Sequence, residues 1–173
     1  MQIKETTVWN SKSLMEDVSI KGKLAINGTL NLNGHTLRVQ EDLISKANIE
    51  FGMGGRLIVG GDFYQLKGAL EVRNGLISVK GNFLICDMDE YGNRISGVGS
   101  IYDTKDSRIN VGKEFYYDSL CVISLQGIYN FEDNVISRPI ARNWYGSVNL
   151  CGKNQFIDIG NGKIKKLNYK FGE

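Results

Sequence analysis

The sequence has little of what enzymes commonly use for catalysis. It contains one histidine, His35, and it has no Gly-x-Ser-x-Gly elbow, no Walker A loop and no glycine-rich dinucleotide loop that opens a helix. A general base also needs a partner and a pocket, and a lone histidine in a turn is usually a surface residue. The sequence therefore predicts no catalytic residue, no cofactor and no metal site, and we interpret the chain as a protein that is not an enzyme.

Proline, cysteine and net charge are also low. There is one proline, Pro139, against 21 glycines in 173 residues. This balance, with no tripeptide period, excludes collagen and is typical of a fold with many tight turns. Three cysteines (Cys86, Cys121 and Cys151), irregularly spaced and beside apolar residues, predict small buried hydrophobes rather than a disulfide framework or a zinc ribbon. A net charge of +2 gives no basis for predicting nucleic-acid binding.

Long hydrophobic runs are absent as well. The first ten residues lack the basic and apolar regions of a signal peptide, and no apolar run reaches the ~18 residues of a membrane span. These absences predict a protein that does not insert into a membrane. They also predict a cytoplasmic location for the chain as it stands, or the cell surface or secretion for a fragment of a larger protein.

What the sequence does contain is a repeat of about 20 residues. Its clearest element has the form Leu-x-Val-x-Gly-Asp/Asn-Phe. The central valines are spaced by 20, 20 and 32 residues, and the last interval is one repeat plus about 12 residues. The four copies are Leu37–Leu43, Leu57–Phe63, Ile77–Phe83 and Ile109–Phe115.

A second apolar pair precedes each copy by seven or eight residues. Glycine, asparagine, aspartate or serine fills the gap, as expected of a sharp corner where the backbone needs positive φ. Shorter copies are predicted upstream at Val18–Ile20 and Leu24–Ile26, and a degenerate copy downstream at Ile157–Ile159. The pairs are Leu30 with Leu32, Ile49 with Phe51, Leu70 with Val72 and, more weakly, Ile101 with Asp103.

Apolar and polar residues alternate within each element, as in half-buried strands, and no segment keeps a helical apolar pattern for more than a turn. Parallel stacking would place Val39 over Val59 over Val79 and build a continuous core that one repeat cannot bury alone. The sequence thus predicts an all-β, single-stranded parallel β-solenoid (β-helix) with rungs of about 20 residues, capped ends and a C-terminal β extension. A β-sandwich of meandering strands is the structural alternative.

The repeat divides the chain into three parts. Residues 1–16 are predicted to form an N-terminal cap, 17–120 the solenoid, and 121–173 a C-terminal cap or β extension, since open ends of a β-stack need covering. An insertion at 87–106 interrupts the third interval. Insertions in repeat proteins map to loops on one face, often the binding face.

The copies Leu57–Phe63 and Ile77–Phe83, each preceded by a Gly-Gly or Asn-Gly turn, resemble β-solenoid repeats of large surface and secreted proteins of Gram-positive bacteria. The chain is similar, more distantly, to filamentous-haemagglutinin-type adhesins and to bactofilins, the cytoskeletal β-helices. The likeness covers residues from about 20 to 120. It implies adhesion, display or scaffolding and no catalytic residues. The chain departs from bactofilins in its insertion and in lacking their shorter, uniform rungs.

Two regions are predicted to form an interaction surface: the insertion, and the aromatic segments Phe115–Tyr117 and Trp144–Tyr145. Core burial is the alternative for about half of these aromatic residues, because aromatic side chains dominate cores as readily as interfaces. The candidate contact residues are Asp87, Asp89, Glu90, Tyr91, Arg94, Tyr116, Tyr117, Trp144 and Tyr145.

Glu50 and Glu71 form a further pair, because they occupy equivalent outward positions one rung apart. Stacked strands lie ~4.8 Å apart, which brings two carboxylates near the separation that retaining glycosidases use. Asn31 and Tyr102 are predicted in the rungs on either side. A solvated polar face is the simpler interpretation of this column.

The predicted function is a non-catalytic protein-interaction or structural module that presents a rigid β-solenoid face, of the adhesin-like or the inhibitor (immunity) type. Its predicted partner is a protein, with no nucleic acid. The first alternative is a self-assembling, bactofilin-like scaffold that associates through the ends of the solenoid. The second is a carbohydrate-binding or carbohydrate-active β-helix.

Overall fold

The computed structural model describes residues 6–138, 141–160 and 162–170, and within these ranges the chain is built of short strands with no helix. From the N-terminus the strands are β1 (Thr6–Trp9), β2 (Lys12–Ser13), β3 (Val18–Ile20), β4 (Lys23–Ile26), β5 (Leu30–Asn31), β6 (Thr36–Val39), β7 (Leu43–Ser45) and β8 (Ile49–Glu50). They continue as β9 (Arg56–Val59), β10 (Phe63–Gln65), β11 (Ala69–Val72), β12 (Leu76–Val79), β13 (Phe83–Ile85), β14 (Asp87–Met88), β15 (Arg94–Ile95) and β16 (Ser100–Asp103). The last are β17 (Arg108–Val111), β18 (Phe115–Tyr117), β19 (Val122–Leu125), β20 (Ile128–Phe131), β21 (Val135–Ser137), β22 (Ala141–Leu150), β23 (Ile157–Asp158) and β24 (Lys163–Tyr169).

Three parallel sheets run along the stack, and a typical rung gives one strand to each. Sheet A contains β1-β4-β7-β10-β13-β18-β21-β23 and sheet B contains β2-β5-β8-β11-β16. Sheet C contains β3-β6-β9-β12-β17-β20-β22, and β22 also pairs with β19 and β24. The chain makes about eight turns, and within the described ranges five of them contribute a strand to sheet B. This architecture confirms the predicted parallel β-solenoid.

The register of the sheets is that of the sequence repeat. Each central valine pairs with the equivalent valine of the next rung, and the apolar pairs before them form the ladder of sheet B. The predicted upstream copies also stack, since β3 pairs with β6 and β4 with β7. Two of the columns contain Val39, Val59, Val79 and Val111 in sheet C, and Leu43, Phe63, Phe83 and Phe115 in sheet A.

The core is a single apolar column that becomes aromatic toward the C-terminus. Early rungs contribute leucine, isoleucine and valine. In the middle, the rings of Phe63 and Phe83 stack at 4.7 Å between centroids with an interplanar angle of 4°. Further along, Phe115 lies 5.0 Å from Phe131, and Tyr129 lies 5.0 Å from Trp144. Stacking like on like fills each layer, because consecutive rungs present equivalent positions to one another.

A ladder of side-chain oxygens joins the rungs at the corner between sheets C and A. Asp42 Oδ1 accepts the backbone N–H of Asp62 at 3.0 Å, and Asp62 Oδ1 accepts that of Asn82 at 2.8 Å. Asn82 Oδ1 in turn accepts the N–H of Glu114 at 3.2 Å. The Asp/Asn of the repeat motif therefore satisfies the backbone donor of the following rung, where the turn interrupts the regular ladder.

The corner between sheets B and C has the positive φ angles that the turn residues predict. Asn33, Gly54 and Asn74 have φ values of +49°, +77° and +53°. A Cβ on the neighbouring Gly55 would lie 2.1 Å from the carbonyl oxygen of Phe51, so this corner also needs glycine for space.

Asp103, on the last strand of sheet B, is a buried carboxylate at an inward position that is apolar in the preceding rung. It pairs with Val72 and is buried, and its carboxylate accepts hydrogen bonds from the N–H groups of Gln126 and Gly127 and from the Tyr129 hydroxyl. Burial raises the pKa of Asp103 despite these donors. The weakest of the predicted apolar pairs, Ile101 with Asp103, thus lies in a regular strand. The Asp103 carboxylate accepts the hydrogen bonds that fix the turn of the next rung.

The ladders extend beyond the limits predicted for the solenoid. They begin at β1, inside the segment predicted as a cap, and run through β20 to β24. The insertion lies between β13 and β16: Gln65 and Leu70 are five residues apart, whereas their partners Ile85 and Ile101 are sixteen apart. The segment 87–106 therefore includes β16, which is part of a regular rung.

We expect Asp62→Ala to lower the free energy of unfolding by about 1–2 kcal/mol, because it leaves the Asn82 N–H without its acceptor at a half-buried corner. Asp62→Asn keeps one oxygen at this position, as Asn82 does one rung later, and should lose less than half as much. Urea unfolding followed by circular dichroism measures both. Equal stability of Asp62→Ala and the wild type would show that the oxygen ladder does not hold the rungs together.

Candidate interaction surface

The insertion forms an antiparallel hairpin outside the solenoid, in which Asp87 pairs with Ile95 and Met88 with Arg94. Asp89 closes its turn, since its carboxylate accepts the N–H groups of Tyr91 at 2.9 Å and Asn93 at 2.7 Å and the Asn93 side-chain amide at 2.8 Å. These donors, the Asn93 amide first, hold the pKa of Asp89 below its usual value. Asp89 is thus a structural residue of the turn.

Arg94 fastens the hairpin to sheet A. Its guanidinium carbon lies 4.7 Å from the centre of the Tyr116 ring, and its Nη1 lies 2.5 Å from Glu114 Oε2. A guanidinium that combines a cation–π contact with an ion pair has one well-defined position. The base of the hairpin is therefore fixed to β18.

Beneath the hairpin lies a second apolar cluster, on the outer face of sheet A. Leu84, Cys86 and Tyr116 are its buried members, and Tyr64, Met88 and Ile136 pack against them. Tyr64, Leu84, Tyr116 and Ile136 stand in one outward-facing column. Outward positions of a solenoid are usually polar, so this apolar column needs a cover, and Met88 on the hairpin supplies part of it.

The tip of the hairpin points into solvent. Tyr91 is 81% exposed, Glu90 is exposed, and Asp87 at the base is half-buried. Gly92 takes φ = +81°, and its N–H bonds to the Asp89 carbonyl at 3.0 Å, which closes the turn directly behind Tyr91. The structure therefore presents one large aromatic side chain on a hydrogen-bonded, anchored support.

Three of the aromatic candidates are buried, so the prediction of an interaction surface is wrong for Tyr116, Tyr117 and Trp144. Tyr117 and Trp144 are fully buried, since they occupy inward positions of sheets A and C and pack into the aromatic core. Tyr116 points outward but is covered by the hairpin. Tyr145, at the β-bulge of β22, is 55% exposed on a different sheet from the hairpin. Period-two alternation around Tyr116 would have identified Tyr117 as inward-facing.

The carboxylate pair lies where the sequence predicts. Asn31, Glu50, Glu71 and Tyr102 pair in register along the outer face of sheet B. Glu50 accepts the Asn31 amide at 3.3 Å and Glu71 pairs with Arg73 at 3.1 Å. A shallow cavity of about 210 Å³ lies over the two glutamates.

The described residues contain no further candidate site among their cysteines or possible metal ligands. The three cysteines are free, and Cys86 is buried whereas Cys121 and Cys151 are only half-buried, so the prediction of burial is wrong for these two. No cluster of three or more His, Cys, Asp or Glu side chains in the ranges that the structure describes has the arrangement to hold a metal ion. Nor do these ranges contain a helix of the length and apolar character needed to cross a membrane.

No family model, no curated protein and no solved structure matches the chain.

The rate at which the Cys86 thiol is alkylated measures whether the hairpin stays docked on sheet A. Burial raises the pKa of this thiol to about 11, and alkylation requires an accessible thiolate. In a Cys121→Ser/Cys151→Ser background, we expect iodoacetamide at pH 8 to label Cys86 at least ~100-fold more slowly than in the urea-unfolded chain.

Adding Arg94→Ala should accelerate this labelling, because the anchor of the hairpin is lost. The direction of the change in labelling rate distinguishes the two cases. The Arg94 charge lowers the pKa of Cys86, so removing it from a hairpin that stays docked would slow the labelling instead. Slower or unchanged labelling of the Arg94→Ala variant would therefore contradict the anchoring role.

Proposed function

We propose that the protein is a non-catalytic interaction module that binds a protein partner through the tip of the β14–β15 hairpin. The observation that carries the proposal is that Tyr91 is 81% exposed on a turn closed by Asp89 and fastened by Arg94. Tyrosine is enriched among residues that dominate binding energy, and a rigid support reduces the ordering entropy lost on binding.

The neighbourhood of Tyr91 supports this proposal. Exposed Glu90 lies beside it, and the half-exposed Ile95 lies on the second strand of the hairpin. An aromatic centre with a polar rim is the usual composition of a protein-binding hot spot. The solenoid would then serve as the stiff body that holds this hairpin away from the chain's core.

The experiment is an affinity capture from a lysate of the source organism with three baits: the wild type, Tyr91→Ala, and Tyr145→Ala as a comparably exposed tyrosine on another sheet. A fourth bait replaces Met88–Ile95 by two glycines, which removes the hairpin and keeps β16 in its rung. We expect a protein held by the wild type and by Tyr145→Ala but lost from the other two baits. For the purified partner, Tyr91→Ala should raise Kd by about 30-fold or more.

A partner that binds all four baits equally, or that is lost with Tyr145→Ala alone, would place the contact elsewhere and contradict the proposal. Unchanged circular dichroism spectra and unfolding midpoints of the variants show that the solenoid is intact. A loss of the partner then results from the change in the hairpin and not from unfolding of the solenoid.

Carbohydrate binding is the second candidate function, supported by the outer column of sheet B. Tyr102 is 57% exposed and pairs with Glu71, and Glu50 and Asn31 continue the same column in the next two rungs. An aromatic ring beside carboxylates and an amide combines the apolar face and the hydrogen-bonding groups that a sugar ligand needs. Binding to a panel of soluble oligosaccharides that is lost in both Tyr102→Ala and Glu50→Gln would favour it.

A further inference from the structure

We propose that the two ends of the solenoid bind each other, so that copies of this chain stack head to tail with β3 of one copy added in parallel to β24 of the next. This inference is independent of the hairpin proposal. It rests on the register of sheet C and on the charges and apolar side chains at its two ends.

The C-terminal end of sheet C carries apolar positions that are exposed and a strongly basic edge. Leu167 and Tyr169 occupy the inward columns of Val148 and Leu150, yet they are 37% and 61% exposed. Among the described residues no strand pairs with the outer edge of β24. Its exposed lysines are Lys163, Lys165, Lys166 and Lys170.

The N-terminal end of sheet C is acidic at the equivalent place. Glu16 and Asp17 are exposed just before β3, and Val18 and Ile20 on β3 are half-buried members of the inward columns. Asp17 Oδ1 accepts the Thr36 N–H at 2.8 Å, and this bond holds the pKa of Asp17 below its usual value, so its charge is present at neutral pH. In the described part of the chain, β3 pairs with β6 alone.

Continuing the register across the two ends produces specific pairs. Val18 belongs to the column that ends in Leu167, and Ile20 to the column that ends in Tyr169. The residue before Val18 is Asp17, which thus falls opposite Lys166, and Glu16 falls opposite Lys165. The incoming strand would cover both exposed apolar residues and place two acids against two lysines.

The outward position between Val18 and Ile20 would also meet a suitable partner on β24. Asn110, Asn130, Asn149 and Asn168 form a ladder of side-chain amides on the outer face of sheet C, with N···O distances of 2.7, 2.7 and 2.8 Å. Ser19 lies in this column and would meet Asn168, whose amide oxygen can accept its hydroxyl. Lys21 and Lys170 would fall opposite each other at the corner, where both side chains can turn into solvent.

The charges select one mode of association. Two β24 edges would bring lysine against lysine, and lysines on an edge strand are a common means of preventing such pairing. The same lysines attract the Glu16–Asp17 edge. A contact that joins the tail of one copy to the head of the next is heterologous and does not close, so it generates a filament. Eight rungs per copy would space the hairpins along it by about 38 Å.

The test measures the weight-average mass of the full chain by sedimentation velocity and light scattering, over a concentration series at about 50 mM and 500 mM salt. We expect the mass to rise above the 19.3 kDa of one chain with concentration, and more so at low salt. Lys165→Glu/Lys166→Glu should weaken the association constant by roughly 100-fold, since it juxtaposes like charges. Lys46→Glu/Lys67→Glu, on exposed corners of middle rungs, is the matched control and should associate like the wild type.

A mixing experiment distinguishes this contact from general electrostatic association. Glu16→Lys and Lys165→Glu, which exchange the charges of one predicted pair, should each self-associate more weakly than the wild type, because like charges then meet at the junction. Mixed together, these two variants should co-assemble, because the substituted head of Glu16→Lys complements the substituted tail of Lys165→Glu and their unsubstituted ends match as in the wild type. One-chain mass at all concentrations in the wild type, association unaffected by the lysine substitutions, or no increase in mass on mixing Glu16→Lys with Lys165→Glu would each overturn the proposal.

Discussion

Parallel pairing of each strand with its equivalent one rung away is the constraint on which this structure depends. The β-strands are two to ten residues long, too short to bury an apolar face by themselves, so each rung is stable only because its neighbours cover it on both sides. This explains why leucine, valine and phenylalanine recur in fixed columns, and why the corners carry side-chain oxygens. The corner N–H groups that the regular ladder leaves unpaired donate hydrogen bonds to the side-chain oxygens of Asp42, Asp62 and Asn82.

The same constraint governs the surface. A strand that alternates inward and outward has every second residue free to vary, and on sheets B and C these residues are mostly polar. Sheet A departs from this at Tyr64, Leu84, Tyr116 and Ile136, whose outward column is apolar. The inserted hairpin lies over that column, and Arg94 joins the two through Tyr116 and Glu114. An insertion that covers an apolar patch and holds Tyr91 in solvent is the basis of the proposed binding role.

The two proposals concern different surfaces and are compatible. The hairpin projects sideways from sheet A, whereas the Glu16–Asp17 and Lys165–Lys166 edges lie at opposite ends of the stack. Copies joined through their ends would carry one hairpin each at regular intervals, and binding sites repeated on a rigid support gain apparent affinity through effective concentration. A partner that is itself repetitive would benefit most from such an arrangement.

The sequence by itself determined the rung length, the paired columns and the positive-φ corners, because a 20-residue repeat with period-two alternation leaves each strand little choice of register. It also placed Glu50 over Glu71. Only the tertiary structure decided that Tyr116 is inaccessible: alternation places it on the outer face, and the hairpin covers it there. The path of the hairpin, the contact of Arg94 with Tyr116 and the buried carboxylate of Asp103 also came from the structure. They depend on contacts between residues far apart in the chain, which no local pattern encodes.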